Sequence, residues 1–385
     1  MKQSKMSKSV APSLIRRLFD MAHEIGDDVV DLTLGDPDVL PPKEVREAAC
    51  EAIMAGKTRY SANPGIAAVR ASYAAFFSRQ YGFTIDPDKN IMSTVGGMEA
   101  LFMSLAAIVD SGDEVILLGP YYANYYQMIC MCGGLPVVVD RLGKDTEILL
   151  GDLKAAITEK TIGIIINTPC NPVGDVLPSG MLDGIAEIAR EHDLIVISDE
   201  VYNSLVYDGR KAESIISRDG MKERTIIVDS CSKRFAMTGW RMGFAVGPES
   251  VIHNMITMQE NVVACAPLPS QHAAVKAYTE DFDYSYIHDT YEHRRDLVYD
   301  SLKKITNLKC VRPSATFYCF IDVSKTGMDS ETFAYALLEK AHVAVVPGIA
   351  YGDAYADYIR IAFTQSDELL DKAMQRLTRF CKGLQ

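Results

Sequence analysis

The sequence predicts an α/β protein: a large domain whose mostly parallel sheet is sandwiched by helices, with a smaller α+β domain built from the N- and C-terminal segments. Two observations carry this. From about residue 90 to residue 247, apolar runs of strand length alternate with longer amphipathic stretches, the pattern of βα units in a parallel sheet. After about residue 285 the pattern changes to a long charged helix, short strands and a terminal helix. The expected boundaries are residues 49–284 for the large domain and 285–385 for the small one, with residues 1–48 packing on the latter.

In chain order, the first 45 or so residues carry LTLGDPD and the helix breaker Pro41-Pro42, and they lack a core of their own. The large domain then supplies strand candidates from Glu114 to Leu118, Leu135 to Val139, Ile162 to Asn167, Leu194 to Ser198, Thr225 to Asp229 and Gly243 to Val246. Helical patterns from Gly97 to Val109 and from Ser179 to Glu191 lie between them. Past the charged helix, KCVRPSATFYCFIDV and HVAVVPG read as antiparallel strands, and a last helix is expected from Ser366 to Cys381.

Composition narrows the function. With 385 residues, 48% of them hydrophobic, the chain can bury a full core. A formal charge of −12 opposes a nucleic-acid or anionic-membrane partner, since binding to phosphate backbones needs a basic face. No apolar run approaches the roughly 18 residues of a membrane helix, and the N-terminus has no apolar secretory segment, so a cytoplasmic protein is expected. Nine scattered cysteines without a CxxC pair suggest neither a disulfide framework nor a zinc site, and read as reduced, mostly buried thiols.

The densest chemical signal is DSCSKRFAMTGWRMG, residues 229–243. Lys233 follows a strand end, where partial desolvation lowers an amine's pKa and equips it to form an imine; taken alone it reads first as an exposed loop lysine, since most lysines are surface residues, and its neighbours in sequence change that reading. Asp199 ends another strand, with Tyr202 three positions on, and ligands of open α/β sheets sit outside such carboxyl ends. A carboxylate there can hold a protonated ring nitrogen, although Asp also caps helices. Asn171, in NTPCNPVG, is a donor at a third strand end or simply part of an Asn-Pro turn. Gly96 and Gly97 open a helix whose free N–H groups favour an anion, and Ser230, Ser232 and Arg241 are further phosphate donors. In PYYANYYQ, Tyr122 and Tyr125 offer ring faces for stacking or for packing. Arg360, inside the apolar strand YIRIAF, needs a carboxylate from the protein or from a ligand.

Taken in this order, these segments resemble the class I/II aminotransferases of fold type I, the aspartate aminotransferase superfamily, over essentially the whole chain. The resemblance implies a pyridoxal 5′-phosphate (PLP) enzyme that moves amino groups from an L-amino acid to a 2-oxo acid such as 2-oxoglutarate by a ping-pong mechanism. It implies that Lys233 forms the Schiff base and shuttles the proton, and that Asp199 pairs with the pyridine nitrogen. Asn171 and Tyr202 would bond the cofactor's phenolic oxygen, Tyr122 would stack on its ring, and Ser230, Ser232, Arg241 and the Gly97-Met98 backbone would hold its phosphate. Arg360, assisted by the Gly35 backbone and by Asn171, would clamp the substrate α-carboxylate. Tyr60 would reach the phosphate of the neighbouring subunit, which implies a homodimer.

Three positions depart from the family pattern: Val173 where Thr is usual, Ala315 where Gly is usual, and Met98 where acid-specific relatives often carry Lys. Met98 weakens the case for a dedicated aspartate enzyme and, with the tyrosines nearby, favours an aromatic or other uncharged donor. The alternative reading is a PLP-dependent carbon–sulfur β-lyase, because one fold serves several reactions. A regulator with a fused helix-turn-helix domain is disfavoured, since LTLGDPD begins near residue 32.

Overall fold

The computed structural model describes residues 2–26, 28–279 and 281–384. Near the N-terminus lies β1, Val30–Asp31. The large sheet is made of β2 Ile91–Thr94, β3 Glu114–Gly119, β4 Leu135–Asp140, β5 Thr161–Asn167, β6 Ile195–Asp199, β7 Thr225–Ser230 and β8 Gly243–Val246. Their spatial order is β2-β8-β7-β6-β5-β3-β4. Pairing is parallel from β4 through β7, while β8 runs antiparallel to both β7 and β2. Helices cover both faces, so the central strands are apolar throughout; Ile164, Ile165 and Ile166 in β5 and all six residues of β7 are buried.

The remaining strands are β9 Lys309–Cys310, β10 Tyr318–Asp322, β11 Val343–Ala344, β12 Val346–Pro347 and β13 Tyr358–Ala362. Four of them form an antiparallel sheet ordered β12-β13-β10-β9, backed by the helices Ser285–Leu302, Ser330–Ala341 and Asp367–Lys382. HVAVVPG differs from its expected antiparallel pairing: Val343 and Ala344 pair in parallel with Val30 and Asp31, and only β12 is antiparallel. Val345 between them is fully buried, so the chain switches partners without leaving the core.

The N-terminal residues divide between the two bodies. The helix Leu14–Ile25 buries Leu18 and Ala22 against Leu338 and Ala344, and Arg376 and Lys372 hold Asp28. The helix Lys43–Met54 instead sets Val45 and Ala49 among Ala273, Ala274 and the aromatic cluster of the large body. Sequence reading missed β2: its four residues, IMST, offer neither a long apolar run nor alternation, and burial comes from pairing with β8. The thiols are free, but only Cys170, Cys231, Cys319 and Cys381 are buried, fewer than expected, and Cys50 is exposed. Among the described residues no helix is long and apolar enough to cross a membrane.

Candidate active site

The carboxyl ends of β5, β6 and β7 meet at one place, as parallel neighbours must. β7 ends at Ser230, whose hydroxyl caps the one-turn helix Cys231–Arg234 by accepting from Ser232 N at 3.0 Å. That turn delivers Lys233, whose Nζ donates to the Gly35 carbonyl at 2.5 Å. Desolvation pushes the amine down to about 8, helped by the Arg360 and Arg241 charges and opposed by Asp36 and Asp199. Lys233 is therefore no exposed loop lysine; it lines a cavity of about 560 Å³.

Asp199 ends β6 and caps no helix. Its Oδ2 accepts from the Tyr125 hydroxyl at 2.5 Å and its Oδ1 from Val201 N at 3.3 Å, while burial pushes the carboxyl up to about 6. Asn167, at the end of β5, laces the neighbouring strand ends: its amide donates to Asp199 O at 3.1 Å and its carbonyl oxygen accepts from Asn171 N at 2.8 Å. The Tyr202 and Tyr318 hydroxyls lie 3.1 Å apart. Tyr122 stands edge-on to Tyr125 with centroids 5.4 Å apart, and its hydroxyl donates to Met98 Sδ at 3.6 Å.

At the other end of the cavity the helix Gly96–Ile108 begins. Gly96 has φ 74, and a Cβ there would stand 2.3 Å from Arg241 Nη2; a Cβ on Gly243 would stand 2.5 Å from the Gly96 carbonyl carbon. Only glycines permit this approach. Arg241 itself adopts φ 53, a left-handed conformation costing a non-glycine residue about 1–2 kcal/mol, and it points its fork back to the helix start. Its guanidinium donates to Thr238 O at 2.8 Å and Val95 O at 3.3 Å. Ser230 Oγ lies 2.8 Å from Ser232 Oγ.

Arg360 occupies the centre of β13 and is 2% exposed. Its Nη1 donates to Asn171 Oδ1 at 3.0 Å, its Nη2 donates to the Thr33 carbonyl, and its Nε has no partner. The Tyr318 and Tyr351 rings flank it at 4.3 and 5.3 Å. Among the described residues no carboxylate forms an ion pair with Arg360 or with Arg241. None of the described residues thus supplies the carboxylate expected for Arg360. Gly35 passes so close to Tyr318 that a Cβ would fall 1.8 Å from its hydroxyl oxygen.

Gly35, Gly97, Met98, Tyr122, Asn171, Asp199, Tyr202, Ser230, Ser232, Lys233, Arg241 and Arg360 all line this cavity. Tyr60 does not; it is 87% exposed and borders a separate cleft with Val95 and Cys265. Sequence reading missed Tyr318, Thr33, Asp36 and the segment with Ser13, Ile15 and Arg16, and saw Tyr125 only as an aromatic face. Tyr318 had a signal, being an inward position of the strand in PSATFYCFIDV; the N-terminal segment had none.

An amine depressed toward neutrality, a buried carboxylate and two guanidiniums without protein counter-ions together suit chemistry on a small anionic substrate. The model of the family described as aminotransferase class I and II matches residues 27–377. An aspartate aminotransferase of Pyrococcus abyssi is 40% identical over 96% of this chain and 96% of its own. Aromatic-amino-acid aminotransferase 2 of Thermococcus litoralis is 39% identical over 97% and 96%. The solved aspartate aminotransferase of Thermus thermophilus with maleate superposes with a TM-score of 0.92 at 36% identity, over 99% of this chain and all of that one. The chain belongs to the class I and II aminotransferases, enzymes that transfer amino groups.

Proposed function

We propose that the cavity binds PLP and that the enzyme moves the amino group of an L-amino acid, aromatic donors foremost, to 2-oxoglutarate or a similar 2-oxo acid. The observation that carries the cofactor assignment is the pair Lys233 and Asp199 in one cavity, with the Arg241 fork, which has no carboxylate partner among the described residues, the Ser230 and Ser232 hydroxyls and the start of the helix Gly96–Ile108 beside it. When bound, PLP supplies an aldehyde for an amine and a ring that withdraws electrons from the substrate Cα.

Lys233 Nζ is the amine for that aldehyde and the base for the Cα proton, and its depressed pKa keeps a neutral fraction near pH 7. The Asp199 carboxylate, steadied by the Tyr125 hydroxyl, would hold the ring nitrogen. Asn171 and Tyr202 would donate to the phenolic oxygen, and Tyr122 would supply a face for the ring. Ser230, Ser232, Arg241 and the Gly97 and Met98 backbone would hold the phosphate. Arg360, braced by Asn171 and beside Gly35, takes the substrate α-carboxylate with the Nε that has no protein partner. The exposure of Tyr60 supports a homodimer in which this side chain completes the partner's site.

Relatives named for aspartate and for aromatic amino acids are about equally similar, so the names do not choose the donor. Met98 supports uncharged donors: its thioether takes weak hydrogen bonds from Tyr122 and Asn124 and offers no charge to a second carboxylate. The test mixes PLP-loaded enzyme with each L-amino acid and follows the change in visible absorbance and the 2-oxo acid released. Aromatic donors should convert the cofactor fastest; aspartate as best donor by a wide margin would remove the aromatic preference. Pyruvate and ammonia formed from cystathionine without an acceptor would favour the β-lyase.

A further inference from the structure

One cation of the cavity has no part in the mechanism above. Four basic side chains line it, Arg16, Lys233, Arg241 and Arg360, against two carboxylates, Asp36 and Asp199. Arg16 comes from the first turn of the helix Leu14–Ile25, far from the others in sequence. Two anchors fix its position. Before the helix, Ala11 N donates to Gln127 Oε1 at 3.1 Å, tying the chain to the large-body helix Asn124–Met131, whose first residue also lines the cavity. Inside the helix, Ile15 packs on the cluster of Phe320, Val346, Tyr351 and Tyr355, and Tyr351 also flanks Arg360. Ser13 between these anchors, Ile15 itself and Arg16 next to it line the cavity.

We propose that Arg16 is a specificity-determining residue that binds the side-chain carboxylate of dicarboxylic substrates, the 2-oxo acid acceptor included. The inference rests on the aminotransferase reading above. A dicarboxylate whose α-carboxylate lies on Arg360 brings a second charge that Met98, Tyr122 and Asn124 cannot neutralise. Arg16 is the cation of the cavity left for it. Its one ion-pair partner among the described residues is Asp20, at 3.0 Å one turn along the same helix, with the two side chains 65% and 54% exposed. Such exposed i,i+4 pairs are weak, so exchange for a ligand carboxylate is inexpensive. An uncharged ring makes no such demand. Arg16 lies over the Phe19 ring of its own helix at 4.6 Å, and its long stem can turn toward solvent, clear of an uncharged ring. One cavity thereby serves an aromatic donor and a dicarboxylic acceptor in alternate half-reactions.

The test compares wild type, Arg16→Met and Arg16→Lys as PLP-loaded enzymes in single half-reactions with glutamate, aspartate and phenylalanine. Loss of one charge-assisted hydrogen bond predicts that kcat/KM for the two dicarboxylates falls about tenfold in Arg16→Met, mainly through KM. Phenylalanine should be unaffected, and Arg16→Lys should recover part of the loss. Calorimetry with maleate should show the same weakening in Arg16→Met, and 3-phenylpropionate none. Equal losses for both substrate classes, or undiminished glutamate turnover and maleate binding, would overturn the assignment. Wild-type enzyme that converts no amino acid would overturn the aminotransferase reading itself, and this inference with it.

Discussion

Three side chains that line the cavity, Lys233, Asp199 and Arg360, each allow a test at the residue scale. Lys233, lowered to about 8 by desolvation, is mostly protonated below that pH and mostly a free amine above it. The rate at which apo-enzyme takes up PLP should therefore rise with pH and level off above about 8; a stopped-flow profile flat across this range would contradict the assignment. Asp199→Ala should still bind PLP but lose turnover by about a hundredfold or more, because the ring nitrogen loses its counter-ion. Near-normal activity in that variant would dismiss the role given to Asp199. At Arg360, the geometry is a two-sided clamp between Tyr318 and Tyr351 with hydrogen bonds to Asn171 and Thr33, which a point-charge ammonium cannot reproduce. Arg360→Lys is expected to raise KM for every amino acid about tenfold or more, aromatic and acidic alike, in steady-state assays. Restored KM in Arg360→Lys would show that charge alone suffices there.

At the scale of elements, the site is a set of strand ends. β5, β6 and β7 were legible because strands covered on both faces are continuous apolar runs, and a polar residue at the end of each run, Asn167, Asp199 or Ser230, marked where the chain leaves the core. What pairing alone creates was not legible. β2 becomes a strand only beside β8, and the parallel contact of β11 with β1 joins residues more than three hundred apart. The partner of Asp199 was hidden for the same reason: Tyr125 sits on the helix Asn124–Met131, and nothing in PYYANYYQ separates a packing tyrosine from a donor. The two-glycine approach of Gly96 and Gly243 gives a prediction at this scale. Gly243→Ala places a methyl against backbone that cannot yield, so PLP affinity measured by titration should fall with loss of the cradle, even where circular dichroism shows the fold intact. Full affinity in a folded Gly243→Ala protein would contradict the close approach.

Over the whole molecule, the cavity is enclosed by parts of the chain that fold with different cores. Arg360 and Tyr318 come from the small sheet, Lys233 and Asp199 from the large one, and Gly35 and Arg16 from the N-terminal residues between them. Tyr60 is 87% exposed, as the homodimer proposed above requires of a side chain that completes a partner's site. Sedimentation should find a dimer, and Tyr60→Ala should bind PLP more weakly; a monomer of full PLP affinity would contradict the shared site.

The central claim is that one amine, Lys233, carries the chemistry. Borohydride reduction of the PLP-loaded enzyme followed by peptide mapping tests it most directly. The mass of the reduced cofactor is predicted on the peptide containing Lys233 and on no other, and its absence there, or its appearance on a different lysine, would contradict the account.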